Sequence, residues 1–202
     1  MTVTKANADV LDLTDAYAFS GTVTGTNAGA TTLISRTAFT TASTVDITGF
    51  DSSLYDSYEI LMHCIVSNDA SGIYGRTSSD GGSTFDAGSG NYTYTGFFTE
   101  ENGTNVTGLG SQSATQSLLT LNDTVGNASG ESFDVRLRLI RPDASAGTLT
   151  SWVSTYVESN ALSTQAIGMG KTEILEDVDG FQFLPSAGTI TGSYQFIGYN
   201  KA

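Results

Sequence analysis

Val178-Asp-Gly-Phe-Gln-Phe-Leu-Pro-Ser-Ala-Gly-Thr-Ile-Thr-Gly-Ser-Tyr-Gln-Phe-Ile-Gly-Tyr199 is the stretch whose reading decides the fold class. Phe181 and Phe183 sit on one side of a two-residue repeat, as do Tyr194 and Phe196 on the returning arm, with Pro185 and Gly188 supplying the turn between them. The stretch reads as a closing β-hairpin. Two strands with this much aromatic and branched surface are marginal alone, so the ribbon must pack against a second sheet drawn from the rest of the chain.

The period of two continues upstream from Thr31. Strands are expected near 31–39, 43–48 and 57–66, where Tyr58, Ile60 and Met62 face one way and Leu61 and Ile65 the other. A strand apolar on both faces belongs inside a sandwich. Asn91 to Thr99 forms another strand, closed by Glu100-Glu101-Asn102-Gly103, whose Asn-Gly pair predicts a type I′ hairpin. Gln116 to Leu121 reads as a short strand. Phe133 to Ile140 is the cleanest alternation and is ended by Pro142; Thr148 to Glu158 answers it, with Trp152, Ser154 and Tyr156 on one face, and the two pair across the intervening turn. Ala161 to Lys171 precedes the terminal ribbon. The expectation for residues 31 to 202 is an all-β domain, a jelly-roll-like antiparallel sandwich of about ten strands.

Residues 1 to 30 differ. Asp9, Asp12 and Asp15 interleave with Val10, Leu11, Leu13, Tyr17 and Phe19, followed by a Gly/Thr/Ala stretch. Val10, Leu13 and Tyr17 are spaced for a helical turn, but Thr and Asp are indifferent helix formers, so the segment reads as an extended arm with apolar anchors that needs another surface to lie on.

Charge narrows the function classes. Eight Lys and Arg against 21 Asp and Glu give a net charge of -13, a field that repels phosphate backbones and anionic headgroups, so neither nucleic acid nor a membrane is an expected partner. Arg136, Arg138 and Arg141 come nearest to a basic stripe, and their alternation with Val135, Leu137 and Leu139 reads as the solvated face of a strand. There is no run of about 18 apolar residues and no signal-peptide pattern, which leads to the expectation of a soluble protein outside the secretory route. The single Cys64 excludes an internal disulfide and lies in the apolar run Ile60 to Val66 as a small buried hydrophobe.

No catalytic constellation emerges. His63 and Cys64 are neighbours on a strand and point to opposite faces, which excludes them as a nucleophile pair, and one His with one Cys cannot make a zinc site. Oxygen ligands for calcium could be assembled from Asp80 with Asp86, or from Glu173, Glu176, Asp177 and Asp179, but neither set matches a calcium-loop pattern and solvated loop acids are the ordinary reading. No metal or cofactor is expected. Glu100 and Glu101, following an aromatic strand, are the one nomination for a glycosidase carboxylate pair. Tyr74, Tyr92, Tyr94 and Phe97 flank polar loops carrying Asp80 and Asn102, and aromatic rings beside amides and carboxylates make a sugar platform; core packing is the competing fate for such rings.

Ser78-Ser79-Asp80-Gly81-Gly82-Ser83-Thr84-Phe85 resembles the Asp-box of sialidases and many other β-proteins, which implies a hairpin and nothing about activity, since a sialidase would show several copies and an arginine cluster. The opening Thr2-to-Gly25 segment resembles the anchor segments of tailed-bacteriophage fibre proteins. The Asp-box hairpin and the terminal ribbon are similar to β-sandwich modules of phage virion proteins, the three stretches together covering roughly a third of the chain. The resemblance implies a non-enzymatic virion component on the particle exterior, commonly a homotrimer, contacting other virion proteins. It would act as a tail fibre or receptor-binding adhesin meeting host glycan through loops near 67–91, 100–114 and 122–130, with capsid decoration as the alternative and a small glycan-active enzyme as the third class.

Overall fold

Twelve strands and no helix form among residues 30–103, 106–109, 119–122, 124–143 and 147–201, the residues described by the computed structural model. In spatial order, β1 (Thr31–Ala42), β12 (Ile190–Asn200), β3 (Tyr55–Val66), β8 (Phe133–Ile140), β9 (Leu149–Val157), β10 (Ser163–Thr172), β5 (Tyr92–Glu100) and β6 (Val106–Leu109) make one eight-stranded sheet. The second sheet has four strands, β2 (Val45–Ile47), β11 (Gly180–Pro185), β4 (Ile73–Ser78) and β7 (Leu119–Thr120). Every pairing is antiparallel. The chain is an all-β antiparallel sandwich with sheets of unequal width.

Alternation places the core. In β8, Phe133, Val135, Leu137 and Leu139 are buried and Asp134, Arg136 and Arg138 exposed; in β9, Trp152, Ser154 and Tyr156 are buried, facing the same way. The two strands pair in register from Phe133 with Tyr156 to Ile140 with Leu149. Tyr58, Ile60, Met62, Cys64 and Phe196 join this layer, and Ile47, Ile73, Phe181 and Phe183 of the small sheet complete a single buried cluster with it. Tyr58 and Phe196 stack at 5.2 Å, while Phe181 and Phe183 meet edge-on at 4.9 Å, geometries aromatic pairs prefer.

The terminal ribbon is not a hairpin. β11 pairs with β2 and β4, β12 pairs with β1 and β3, and residues 186–189 carry the chain from one sheet to the other. The reason lies in the side chains. In a hairpin, Phe181, Phe183 and the Tyr194/Phe196 pair would crowd one face of one sheet, whereas in opposite sheets they close on a shared core, where Phe181, Phe183 and Phe196 are fully buried. The crossing is pinned by bonds from the Ser186 amide to the Gly72 carbonyl (2.8 Å) and from the Thr189 amide to Ser67 Oγ (2.8 Å).

Three local expectations also change. The Asp80 turn joins β4 to β5 and so crosses between sheets instead of closing a hairpin. The 100–103 turn does join a hairpin, β5 to β6, but Gly103 alone takes a positive φ (+71°) while its amide bonds the Glu100 carbonyl at 3.0 Å, so Asn102 does not make the type I′ geometry. β3 is not covered on both faces: Ile65 is 49% exposed, because a four-stranded sheet cannot cover an eight-stranded one on more than one side. Of the strand expected over 116–121, Leu119–Thr120 is present and the positions before it lie outside the described residues.

Antiparallel order sorts the connections to two poles. At the pole where Ala30 enters β1, its carbonyl accepts from the Asn200 amide (3.1 Å), and segments 48–54, 79–91 and 173–179 are joined by bonds such as Glu173 amide to Asn91 carbonyl (2.7 Å) and Asp179 amide to Ser78 carbonyl (2.9 Å). At the far pole, segments 67–72, 124–132 and 186–189 are joined by the Ser67 amide to the Thr189 carbonyl (2.9 Å), the Ser71 amide to the Val125 carbonyl (3.0 Å) and the Gly126 amide to the Val157 carbonyl (3.0 Å). Segments 100–103 and 158–163 lie at this same far pole, tied by the Glu101 amide to the Ser163 carbonyl.

Candidate functional site

The loop residues nominated from sequence are not brought together. Asp80 lies at the entry pole and Glu100 and Asn102 at the far pole, separated by the length of β5, about 26 Å at the usual rise per residue. Asp80 is consumed by its own turn: its carboxylate accepts from the Thr84 amide (2.8 Å), Thr84 Oγ1 (2.6 Å) and Ser78 Oγ (2.8 Å), with Gly81 and Gly82 at φ +73° and +83°. The Thr84 hydroxyl and amide, followed by Ser78, hold its pKa down to about 2.

Tyr92 does not face a ligand. It is fully buried, accepting from the Thr77 amide (2.8 Å) and donating to the Asp86 carbonyl (3.0 Å), and burial pushes its pKa up to about 12. Its outward reading failed because Tyr92 shares the inward parity of Phe98. Tyr94, on that same parity, is half-buried and accepts from Thr120 Oγ1 at 2.8 Å; Tyr74 is half-buried in β4 with its hydroxyl against Gly72. Glu100 accepts from Asn102 Nδ2 at 2.8 Å, and Glu101 is exposed. The arm anchors Val10, Leu11, Leu13, Tyr17 and Phe19 lie outside the described residues.

The acidic loop sets do not converge either. Among the described residues, no three His, Cys, Asp or Glu side chains meet at one point. Glu176 accepts from Ser79 Oγ (2.7 Å) and Asp179 from the Gly81 amide (2.8 Å), so these carboxylates fasten the 173–179 segment to the Asp80 turn.

What the fold does assemble is the outer face of the large sheet. Register places Arg36, Gln195, Leu61, Arg136, Val153, Ile167 and Phe97 in one row across seven strands. A neighbouring row holds Ser193, His63, Asp134, Thr155 and Gln165. Between them the sheet forms a shallow depression of about 520 Å³, floored by Leu61 and Val153 and rimmed by His63, Asp134, Arg136 and Gln195. Glu59 is the buried member of a pair with Arg136 (Nε to Oε2, 2.7 Å), whose hydrogen bond and charge raise the pKa of the guanidinium, and it also accepts from the Tyr199 hydroxyl at 3.2 Å. Arg138 stands 4.8 Å over the Tyr199 ring.

Ser193, His63 and Asp134 are the residue types of a nucleophile, base and orienting acid, and His63 Nδ1 lies 3.1 Å from both Asp134 oxygens. The rest of such a centre is not built around them. No hydrogen bond joins Ser193 to the imidazole, and β3 and β12 are paired on both sides, so their amides are spent in the ladder and none is free to stabilise an oxyanion. His63 and Asp134 are 54% and 58% exposed, where such a pair contributes little. Donors and acceptors here stand over an apolar floor. Alternation fixed the parity of each of these residues; their neighbours were set by strand order.

Comparison with protein-family models, with curated proteins and with solved structures finds no match.

Proposed function

We propose that this chain is a non-enzymatic structural protein of a phage virion, a tail-fibre or receptor-binding adhesin attached through residues 1 to 30 and exposed on the particle. The observation that supports this reading is the polarity of the sandwich. The chain enters at Ala30 beside Asn200, while the hydrogen-bonded loops 67–72, 124–132 and 186–189, with 100–103 beside them, sit at the opposite pole. A block held by one end and presenting loops at the other has the layout of an adhesin, and its broad unpaired β-face suits contact with further virion proteins or its own copies in a homotrimer. Adsorption tests the reading: purified protein should compete with particles for host cells or bind host surface glycan. Absence of binding to any host surface material would remove the adhesin function.

A second reading, capsid decoration, is favoured by the open outer face, since a clamp between capsomers needs a lateral contact surface more than a distal one. Copy number separates the two. Decoration requires the chain in hundreds of copies on the head, and a fibre requires far fewer on the tail.

A further inference from the structure

Val153, Ile167 and Phe97 are directly cross-strand on the outer face of β9, β10 and β5, with Met169 and Leu149 beside them; they are 40%, 38%, 42%, 61% and 48% exposed. A contiguous apolar row of this kind on a polar protein marks a covered surface. The charges around it say what covers it. In a chain of net charge -13, this face carries Arg36, Arg136, Arg138 and Lys171 against Glu59, Asp134 and, at the rim, Glu173. Arg36 and Arg138 have no carboxylate partner among the described residues. A second copy of the same face would set cations against cations. The complementary segment is the chain's own residues 9 to 19, in which Asp9, Asp12 and Asp15 alternate with Val10, Leu11, Leu13, Tyr17 and Phe19.

Reach agrees. The arm joins the sheet where Thr31 opens β1; the row of Arg36 and Val153 lies five residues along that strand and Val153 four strands across it, about 17 Å by about 19 Å, or roughly 25 Å in all at the usual rise and spacing. Ser20 to Ala30 is eleven residues, whose covalent reach is at most about 36–40 Å, enough for Phe19 to arrive at the row. A tether able to span the distance raises the effective concentration of its own arm far above that of a neighbour's arm in dilute solution.

We infer that residues 9 to 19 dock on the outer face of the same molecule's large sheet, covering Val153, Ile167, Phe97 and Met169. The inference concerns the free chain and stands apart from the virion reading.

The three methionines provide the test. Met62 is buried in the core, Met169 lies beside the row, and Met1 leads the arm. Under mild peroxide, Met169 of the full chain should form sulfoxide about tenfold more slowly than in a variant with Leu11, Leu13, Tyr17 and Phe19 changed to Ser. Met62 should stay unoxidised in both, reporting an intact fold. Ile167→Asp, which leaves the arm intact but opposes it with a charge, should expose Met169 equally and keeps the test open if the arm variant misfolds. Equal Met169 rates in the full chain and both variants overturn the inference. So does protection that vanishes on dilution to nanomolar protein, which would assign the covering arm to another copy.

Discussion

Asp80 shows how a single side chain can be both exposed and structural. Its folded pKa of about 2 lies below the roughly 3.9 of an unfolded aspartate, so the turn's contribution is present above about pH 4 and is lost as pH falls through about 2. In Asp80→Asn, stability measured by denaturant titration should therefore fall less steeply between pH 4 and 2 than in the parent chain; parallel curves would show that Asp80 does not carry the turn. Asp86 has the opposite sign, since burial raises its pKa and its stabilising contribution fades as pH rises through that value. Cys64 is inert for a similar cause: full burial lifts its thiol to about 12, so alkylation at pH 8 should track global unfolding. Gly168 is fixed by a neighbour, because a Cβ there would overlap the ring of Trp152 across the β9–β10 ladder. Gly168→Ala should cost about 1–3 kcal/mol by overpacking, and a neutral result in thermal unfolding would mean the indole can move aside.

At the scale of elements, the crossing between β11 and β12 does what a hairpin cannot. It takes two aromatic strands that are adjacent in sequence and opposes them across the core, so each sheet receives one. The same device recurs at the Asp80 turn between β4 and β5, and both crossings are fastened by side-chain acceptors of the loops they touch, Glu176 and Asp179 for the first and Ser67 for the second. Phe183→Ala should then cost about 3–5 kcal/mol, in the range for truncating a fully buried aromatic, and should loosen both sheets together. Hydrogen exchange gives the readout: faster exchange confined to β2, β11 and β4, with the eight-stranded sheet unchanged, would show that the sheets do not share one core.

For the molecule as a whole, asymmetry between the sheets governs what is available for contact. Four strands cover one side of eight, leaving an outer face that combines an apolar row, two arginines without carboxylate partners among the described residues and a shallow depression with an apolar floor. The poles divide the remaining surface, with the entering chain beside segments 48–54, 79–91 and 173–179 at one end and segments 67–72, 100–103, 124–132, 158–163 and 186–189 at the other. Under the proposed virion role, removing residues 1 to 20 should abolish incorporation into particles while leaving the sandwich folded, as measured by particle composition and circular dichroism, and incorporation without the arm would defeat attachment through it.

Sequence by itself determined the all-β class and which residues share a strand face, Tyr58 with Ile60 and Met62 or Trp152 with Ser154 and Tyr156, because a period of two is a local property of each strand. It also located the Asp80 turn, whose hydrogen bonds span only a few residues. Tertiary structure alone decided that β11 and β12 part company, that Tyr92 turns inward beside Thr77, and that Val153, Ile167 and Phe97 become neighbours. Those outcomes depend on which strands lie side by side, and strand order is chosen by burying the aromatic faces of distant segments at once, a collective free energy that no short window of residues contains.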